Sequence, residues 1–244
     1  MILSSKGSKV LIVSDIHNES DKLRKILKEE SADITISLGD YWHSFHKNTD
    51  LDVKKTCLLY NELVDKPNFV NLWGNHCCAE IYPNEYTLCS GFNPRKRTIT
   101  ETFLDFKAVE KTKWHCFLDD FLLTHAGLSP HFLPFNAEIN IEWLDNWLTR
   151  EGEKATIALK TSQSHWFFRA GMARGGNQIV GGLNWLDFND EFVDIEGLPQ
   201  IVGHTYQRIG KVRAVGKSFC IDTQLNQWVT ITNKKLEIKS FKDL

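Results

Sequence analysis

The 244-residue sequence has no excess charge of either sign, since 29 lysine and arginine residues oppose 31 aspartate and glutamate residues, a formal net charge of −2. A chain this close to neutral gives no electrostatic reason to expect nucleic acid or an anionic membrane surface as a partner. It also lacks an apolar run near the ~20 residues that cross a bilayer. Its first residues lack the apolar stretch and cleavage site of a signal peptide. We therefore expect neither membrane nor nucleic acid partners.

Cysteine is scarce, and its spacing lacks the close pairs that are typical of zinc ribbons and redox motifs. The six cysteines include no Cys-x-x-Cys pair. The chain is also too long for a small secreted frame that is held by disulfides. We therefore expect reduced thiols and a cytoplasmic location.

What the chain does contain is an apolar strand that ends in polar residues. Residues 9–18 read KVLIVSDIHN, and this β-branched apolar run predicts a strand that is buried on both faces. Asp15 and His17 follow it, and residues two apart in extended chain point to the same side. A carboxylate and an imidazole at this place suit a divalent metal. Taken alone, such a pair is more often a helix cap and a loop histidine.

Later apolar runs also end in short polar loops. Strand, helix and strand within residues 9–38 predict a parallel βαβ unit with a right-handed crossover. Ligands of open α/β sheets bind at the carboxyl edge of the strands, so we expect the loop side chains to gather there. The loop residues that could ligate a metal or carry a proton are Asp40, Asn75, His76, His125 and His204.

The rest of the chain is less regular. Residues 77–113 are interrupted by proline and glycine and are predicted to form a loop-rich flank with a helix only at 98–110. Residues 131–168 are predicted to be mostly helical. From Arg208 onward, short strands with tight turns predict an antiparallel meander. No repeat, linker or break in composition separates domains, so residues 1–244 are predicted to form a single domain.

In their order along the chain, the motifs resemble those of the calcineurin-like metallophosphoesterases, and within them the branch of phosphoprotein phosphatases and dinucleoside polyphosphatases. The resemblance covers residues 10–232. It implies an α/β fold, a four-layer α/β/β/α sandwich of two mixed sheets flanked by helices. The motifs read Asp15-x-His17, Gly39-Asp40, Gly74-Asn75-His76, His125 before Ala126-Gly127, and Gly203-His204.

The resemblance implies a centre of two divalent metal ions, with Mn²⁺ preferred and Fe, Zn²⁺ or Ni²⁺ as alternatives. Such ions lie about 3.5–4 Å apart and generate hydroxide from a bound water that attacks phosphorus. By the same resemblance, Asp40 bridges the ions and His76 stabilises or protonates the leaving group. The other implied ligands are Asp15 and His17 for the first ion, and Asn75, His125 and His204 for the second.

The chain departs from the family pattern at the second and the last motif. Phosphoprotein phosphatases carry an aspartate that orients the proton donor and then an arginine that clamps phosphate, whereas this chain has His43 and Ser44 at these positions. A neutral His43 can accept a hydrogen bond from His76, but it would not raise the basicity of His76 as a carboxylate does. Tyr206 stands where many relatives have a further metal-binding histidine, so the first ion is expected to bind more loosely.

A missing phosphate clamp has to be replaced if phosphate binding is to survive. Arg169 lies where relatives of this branch often carry a phosphate-binding arginine, and Arg174 in the glycine-rich loop is a second candidate. A surface salt bridge is the alternative for both. Asn75 is the third residue that is predicted to bind substrate.

The predicted function is hydrolysis of phosphomonoesters on a small molecule or a phosphoprotein, with a Ser/Thr phosphatase as one candidate. The alternative among enzymes is a phosphodiester or diadenosine-polyphosphate hydrolase, because the same metal pair cleaves those bonds. The alternative from another class is a non-catalytic metal- or phosphate-binding module. It is motivated by His43 and Ser44 in place of the usual aspartate and arginine.

Overall fold

Two mixed β-sheets form the centre of the computed structural model, which describes residues 1–135, 137 and 139–242. Strands are numbered in chain order, and the strands of each sheet are named from one edge to the other. The five-stranded sheet consists of Lys235–Ser240 (β11), Gln227–Thr232 (β10), Lys9–Val13 (β2), Ile34–Ser37 (β3) and Phe69–Asn71 (β4). The six-stranded sheet consists of Ile2–Leu3 (β1), Cys116–Leu118 (β5), Phe121–Leu123 (β6), Gln200–Val202 (β7), Ser218–Cys220 (β9) and Arg213–Val215 (β8).

In each sheet, the strands that precede the polar loops are parallel to one another. In the five-stranded sheet β2, β3 and β4 are parallel, with Ile12 opposite Ile36, and β10 is antiparallel to β2. In the six-stranded sheet β6, β7 and β9 are parallel. The predicted βαβ unit is therefore present, and the strands that carry the motifs run in parallel within each sheet.

Alternate residues of β2 pack into different layers, because successive side chains of a strand point to opposite faces. Val10 and Ile12 join residues of the other sheet, such as Ile201, in a cluster between the sheets. Leu11 and Val13 lie in the cluster that contains the helix side chains. Full burial of such a side chain contributes roughly 1.5–3 kcal/mol. The predicted arrangement of two mixed sheets flanked by helices is confirmed.

The helices that cover the five-stranded sheet have clear sequence signals. Thr49 accepts a hydrogen bond from the Asp52 N–H and Asp52 returns one, a capping box that starts the second helix.

Within the described residues, none of the helices combines the length and the apolar character needed to span a bilayer. The three longest helices are Ser20–Glu30 (α1), Asp50–Val64 (α2) and Ile141–Lys160, which is α6 in chain order.

The flank at residues 77–113 contains more helix than predicted. Asn75–Ile81 (α3) begins directly after the third motif, and Pro94–Phe103 (α4) and Phe106–Val109 (α5) follow. The side chain of Asn93 caps α4, whose first residue is Pro94, a common helix start that the sequence reading missed.

The helix predicted at 131–168 is shorter in the structure, because Asn140 caps α6 and starts it there. Short 3₁₀ turns lie at Pro130–Phe132 and Trp166–Phe168. Residues 136 and 138 of the predicted range lie outside the described residues.

The last four strands form two hairpins in different sheets, so the prediction of one meander was wrong. β8 and β9 are antiparallel and join the six-stranded sheet through β7. β10 and β11 are antiparallel and join the five-stranded sheet through β2. Residues 221–226 connect the sheets. That residues 1–244 form one domain stays a prediction, and residues 243–244 are not described.

Candidate active site

The polar loops after β2, β3, β4, β6 and β7 are tied together by hydrogen bonds. The backbone N–H of His17 donates to the carbonyl of Asp40 at 2.8 Å, which joins two loops of the five-stranded sheet. The backbone N–H of His204 donates to Asp15 Oδ2 at 3.0 Å, which joins the two sheets. The structure therefore brings the predicted ligands together where the carboxyl ends of the strands meet.

Backbone strain is concentrated in these loops. The φ angles are 53° at Asp15, 42° at His17, 53° at Asp40 and 66° at His204. Such left-handed conformations cost of order 1–3 kcal/mol for residues other than glycine and persist where the surrounding structure holds them. A Cβ at Gly74 would lie 2.0 Å from Asp40 Oδ1, so only glycine lets the third motif approach the second.

Four side chains form what we call the donor cluster: Asp40, Asn75, His125 and His204. Asn75 Oδ1 lies 2.9 Å from His125 Nε2 and 3.0 Å from His204 Nδ1. His125 Nε2 lies 3.1 Å from Asp40 Oδ2. The ligand atoms of Asp40, His125 and His204 all lie within 4.8 Å of one another. The predicted ligands of the second ion thus surround one point.

Tautomer geometry shows that this cluster requires a positive charge. His125 Nδ1 faces the Leu38 carbonyl at 2.8 Å, so this nitrogen carries the hydrogen. In the neutral ring Nε2 then directs a lone pair at the oxygens of Asn75 and Asp40. Lone pairs that face one another repel unless a proton or a metal cation lies between them. The donor set, two imidazoles, an amide oxygen and a carboxylate, fits a divalent ion.

The pKa values of His125 and Asp40 also indicate a positive charge at this place. Burial lowers the pKa of His125, but the Asp40 carboxylate opposes this and the net effect raises it to about 9. Burial raises the pKa of Asp40, yet the neighbouring imidazoles, first His125, lower it below its usual range. A cation in place of the His125 proton would satisfy the same carboxylate.

A second group of possible ligand atoms lies beside the cluster. His17 Nδ1 donates to the Trp42 carbonyl at 2.9 Å, which leaves Nε2 as the ligand atom, 3.8 Å from Asp15 Oδ1. Ligand atoms of His17, Asp40 and His76 also lie within 4.8 Å of one another. Asp40 therefore belongs to both groups, as a bridging carboxylate must.

Two further carboxyl groups, those of Asp15 and Asp222, are buried at this place. Burial raises the pKa of Asp15. Burial and then the charge of Asp15 raise the pKa of Asp222 well above its ordinary value. Asp222 lies in the wall of the cleft.

His76 begins a hydrogen-bonded series that ends on a carboxylate, and we call His76, His43 and Glu80 the histidine chain. His76 Nδ1 lies 2.9 Å from His43 Nδ1, and His43 Nε2 lies 2.8 Å from Glu80 Oε2. Glu80 is only 1% exposed. Glu80 therefore places a carboxylate behind His43, which the sequence analysis did not predict.

The sequence held one usable signal for Glu80. It lies four residues after His76, so the two side chains share a face of α3. A carboxylate can accept only, so it fixes the hydrogen of His43 on Nε2 and leaves Nδ1 as an acceptor for the Nδ1–H of His76. This hydrogen-bond order orients His76 as an aspartate would.

Cys89 also reaches this corner, which the sequence reading did not predict. Its Sγ lies 3.3 Å from His76 Nδ1 and 3.9 Å from His43 Nδ1. The loop after α3 carries Cys89, and burial raises the pKa of its thiol. The thiol is therefore protonated and is not a thiolate nucleophile.

The two predicted arginines occupy different surroundings. Arg169 is exposed, and its Nε donates to Ser164 Oγ at 2.8 Å. Arg174 is half-buried next to the last motif. Its Nη2 donates to Thr205 Oγ1 at 2.9 Å and its Nε pairs with Asp187 at 2.7 Å. Of the two, Arg174 is in direct contact with the loop that carries His204.

A cleft of about 240 Å³ lies beside these groups and is lined by Asp15, His17 and His204 among others. Ser44 and the exposed Phe45 contribute one part of its lining, and Tyr206 and Gln224 contribute another. His76 lines the cleft while its Nδ1 faces His43, so Nε2 is the atom left to contact a bound molecule. Of the donor cluster, His204 lines the cleft, while Asp40, Asn75 and His125 lie buried behind it.

Comparisons with known proteins agree with this geometry. A family model described as calcineurin-like phosphoesterase matches residues 8–208. No curated protein matches the chain. The cold-active protein-tyrosine phosphatase of a psychrophilic Shewanella species is similar in structure, with a TM-score of 0.61 at 15% identity over 100% of this chain and 80% of that chain. A protein serine/threonine phosphatase from Saccharomyces cerevisiae has a TM-score of 0.54 at 12% identity over 98% and 83%.

Proposed function

The chain belongs to the calcineurin-like phosphoesterases, which makes it a metal-dependent hydrolase of phosphate esters, and on that premise we propose that it hydrolyses phosphomonoesters in the cleft beside the donor cluster. The resemblance read from the sequence motifs is thereby confirmed at the level of the family. The single observation that carries the finer proposal is the convergence of Asp40, Asn75, His125 and His204 on one point.

We propose two divalent ions, with Mn²⁺ as the first choice and Fe, Zn²⁺ or Ni²⁺ as alternatives. When bound, such ions polarise phosphoryl oxygens and lower the pKa of a water so that it can attack phosphorus. The donor cluster would hold one ion, and Asp40 would be shared with the other. The remaining proposed ligands are Asp15 and His17.

His76 is the proposed proton donor to the leaving group. Burial lowers its pKa to about 3, so the ring is neutral before substrate binds. An arriving phosphate dianion favours the imidazolium. The Glu80 carboxylate accepts the Nε2–H of His43 and so leaves His43 Nδ1 as the acceptor for His76. His76 then holds one hydrogen on Nδ1 towards His43 and offers the other on Nε2 to the leaving oxygen.

Arg174 is the better supported of the proposed phosphate clamps. Its contact with Thr205 places the guanidinium next to the His204 loop, and Asp187 fixes its orientation. A guanidinium held in this way can bind phosphate oxygens bidentately. Asn75 would orient substrate through the ion that it holds, and Arg169 stays a prediction.

A phosphomonoester is favoured over a dinucleoside polyphosphate by the size of the cleft. Its volume of about 240 Å³ is below the roughly 300–1,000 Å³ of common small-molecule pockets. It suits a phosphoryl group on a short side chain, and a phosphopeptide is one candidate. A phosphodiesterase and a non-catalytic module remain the alternatives. We also propose a cytoplasmic location, supported by the six free cysteines.

The test is turnover together with metal content. Purified protein loaded with Mn²⁺ is assayed on p-nitrophenyl phosphate, bis-p-nitrophenyl phosphate and diadenosine tetraphosphate. We expect the monoester to be the best substrate by kcat/KM. A preference for the diester or the dinucleotide would support the runner-up, and bound metal without turnover of any ester would support the non-catalytic module.

A further inference from the structure

His43, His76 and Cys89 bring two imidazole nitrogens and a thiol together beside the cleft. We propose that these three side chains form a zinc-binding site, separate from the donor cluster, and that Zn²⁺ bound there inhibits hydrolysis. Their ligand atoms all lie within 4.8 Å of one another. The inhibitory part rests on the proposed role of His76 as proton donor, whereas the binding part does not.

The distances suit a tetrahedral ion. Zn–N bonds of about 2.0–2.1 Å and Zn–S bonds of about 2.3 Å place neighbouring nitrogens about 3.3 Å apart and nitrogen and sulfur about 3.6 Å apart. The nitrogens of His43 and His76 lie 2.9 Å apart, and Cys89 Sγ lies 3.3 Å and 3.9 Å from them. Shifts of a few tenths of an ångström in side-chain position would therefore complete the site.

Glu80 supplies the outer contact that zinc-binding histidines usually have. It accepts the Nε2–H of His43 at 2.8 Å and so directs the Nδ1 lone pair towards Cys89 and His76. Glu80 is almost fully buried, and its Oε1 has no hydrogen-bond partner among the described residues. The buried Glu80 carboxylate is stabilised further when His43, which donates a hydrogen bond to it, binds a cation.

The chemistry of the ligands separates this site from the donor cluster. One thiolate and two imidazoles form a softer set than carboxylate, amide and imidazole, and this softness selects Zn²⁺ over Mn²⁺. Cys89 is partly exposed and His76 lines the cleft, which leaves a route for the ion and a place for water as fourth ligand. Binding would release the thiol proton to solvent.

Zinc and the histidine chain compete for the same atoms. A zinc ion on His76 Nδ1 replaces the hydrogen that His76 shares with His43. His76 then loses its link to Glu80, and its ring is held by the ion. Hydrolysis of esters with poor leaving groups would slow most, because those depend most on proton donation.

Cobalt provides a test that does not depend on activity. Protein whose other sites are filled with Mn²⁺ is titrated with Co²⁺, and the near-ultraviolet absorption of thiolate-to-cobalt charge transfer is recorded. We expect the band to saturate at one equivalent, to be absent in Cys89→Ser, and to persist in the control Cys57→Ser, whose thiol lies buried beside Thr100. Absence of the band in the wild type, or its persistence in Cys89→Ser, would overturn the site.

Two further readouts separate binding from inhibition. Glu80→Gln should weaken Co²⁺ binding about ten-fold, the typical effect of losing an outer carboxylate, and unchanged binding would remove Glu80 from the site. In an active preparation, Zn²⁺ should inhibit at a concentration about ten-fold or more lower for wild type than for Cys89→Ser. A cobalt band without zinc inhibition would keep the binding site and refute the regulation.

Discussion

The donor cluster and the histidine chain lie beside the same cleft, yet they satisfy their buried polar atoms in different ways. In the donor cluster His125 directs a lone pair at the oxygens of Asn75 and Asp40. In the histidine chain each ring donates to the next acceptor, and the series ends on the Glu80 carboxylate. The first arrangement needs a proton or a metal ion between the facing lone pairs, whereas the second is joined by hydrogen bonds between its own members.

This difference predicts that the donor cluster depends on bound metal and that the histidine chain does not. Repulsion between lone pairs in a buried place costs free energy, so the donor cluster should lose stability and order when metal is removed. The histidine chain should keep its geometry, because its hydrogen bonds are internal. Variants on the two sides should therefore differ in metal content, in stability and in their dependence on the leaving group.

The largest effect is expected from Asp40→Asn. Loss of the shared carboxylate should remove metal from both groups and lower kcat/KM by about 10³-fold or more, because metal ions supply several kcal/mol of transition-state stabilisation. Metal analysis and the monoester assay check this. Asp119→Asn is the matched control, since Asp119 binds Ser5 away from the cleft. An active Asp40→Asn protein with full metal content would refute the bridging role.

The next effect is a pH dependence of the metal-free protein. The pKa of His125 is raised to about 9 from about 6.5, so its stabilising charge is fully present below pH ~6.5 and is lost as pH rises through 9. At about 1.4 kcal/mol per unit, the free energy of unfolding should fall by on the order of 3 kcal/mol. Urea unfolding of the metal-free protein at pH ~6.5 and at pH 9 measures this change in the free energy of unfolding. A flat profile would show that the donor cluster does not demand a cation.

The loss of activity in His76→Ala should depend on the leaving group of the ester. We expect a loss of about 10²-fold with an alkyl phosphate, which needs a proton, and little loss with p-nitrophenyl phosphate. Metal content should stay at the wild-type level. His131→Ala is the control, because the His131 ring makes an edge-to-face contact with Phe132 outside the cleft. Equal losses on both esters would mean that His76 acts in metal binding or folding.

The smallest effect is expected from Glu80→Gln, which keeps the size of the side chain and removes its charge. A hydrogen bond to a charged group exceeds a neutral one by about 1 kcal/mol, so kcat on the alkyl phosphate should fall about five-fold with KM unchanged. Glu30→Gln is the control for a buried carboxylate, since Glu30 accepts from Trp228. If Glu30→Gln changed the leaving-group dependence as much, Glu80 would have no special role.

The sequence predicted the donor cluster better than the histidine chain for a physical reason. Asp40, Asn75, His125 and His204 each follow an apolar strand directly, and parallel strands bring their carboxyl ends to one edge. Glu80 reaches His43 only through the fold of α3 against the second motif. No local pattern encodes such a contact.

The sheet that each hairpin joins could not be predicted from the sequence for the same reason. Hairpin strands can be recognised from alternation and turns, but the sheet that a hairpin joins depends on distant partners. The pair β8 and β9 joins β7, and the pair β10 and β11 joins β2. The helices α3 and α4 were obscured because proline and glycine around them resemble loop composition, although Pro94 begins a helix.

The most direct test of the proposed metal centre is a crystal structure of Mn²⁺-soaked protein with anomalous scattering. We expect one strong peak surrounded by Asp40, Asn75, His125 and His204, and a weaker one beside Asp15, His17 and Asp40. The histidine chain should keep its distances of 2.9 and 2.8 Å in metal-free crystals. No anomalous peak at the donor cluster, with its side chains unmoved, would contradict the proposed centre.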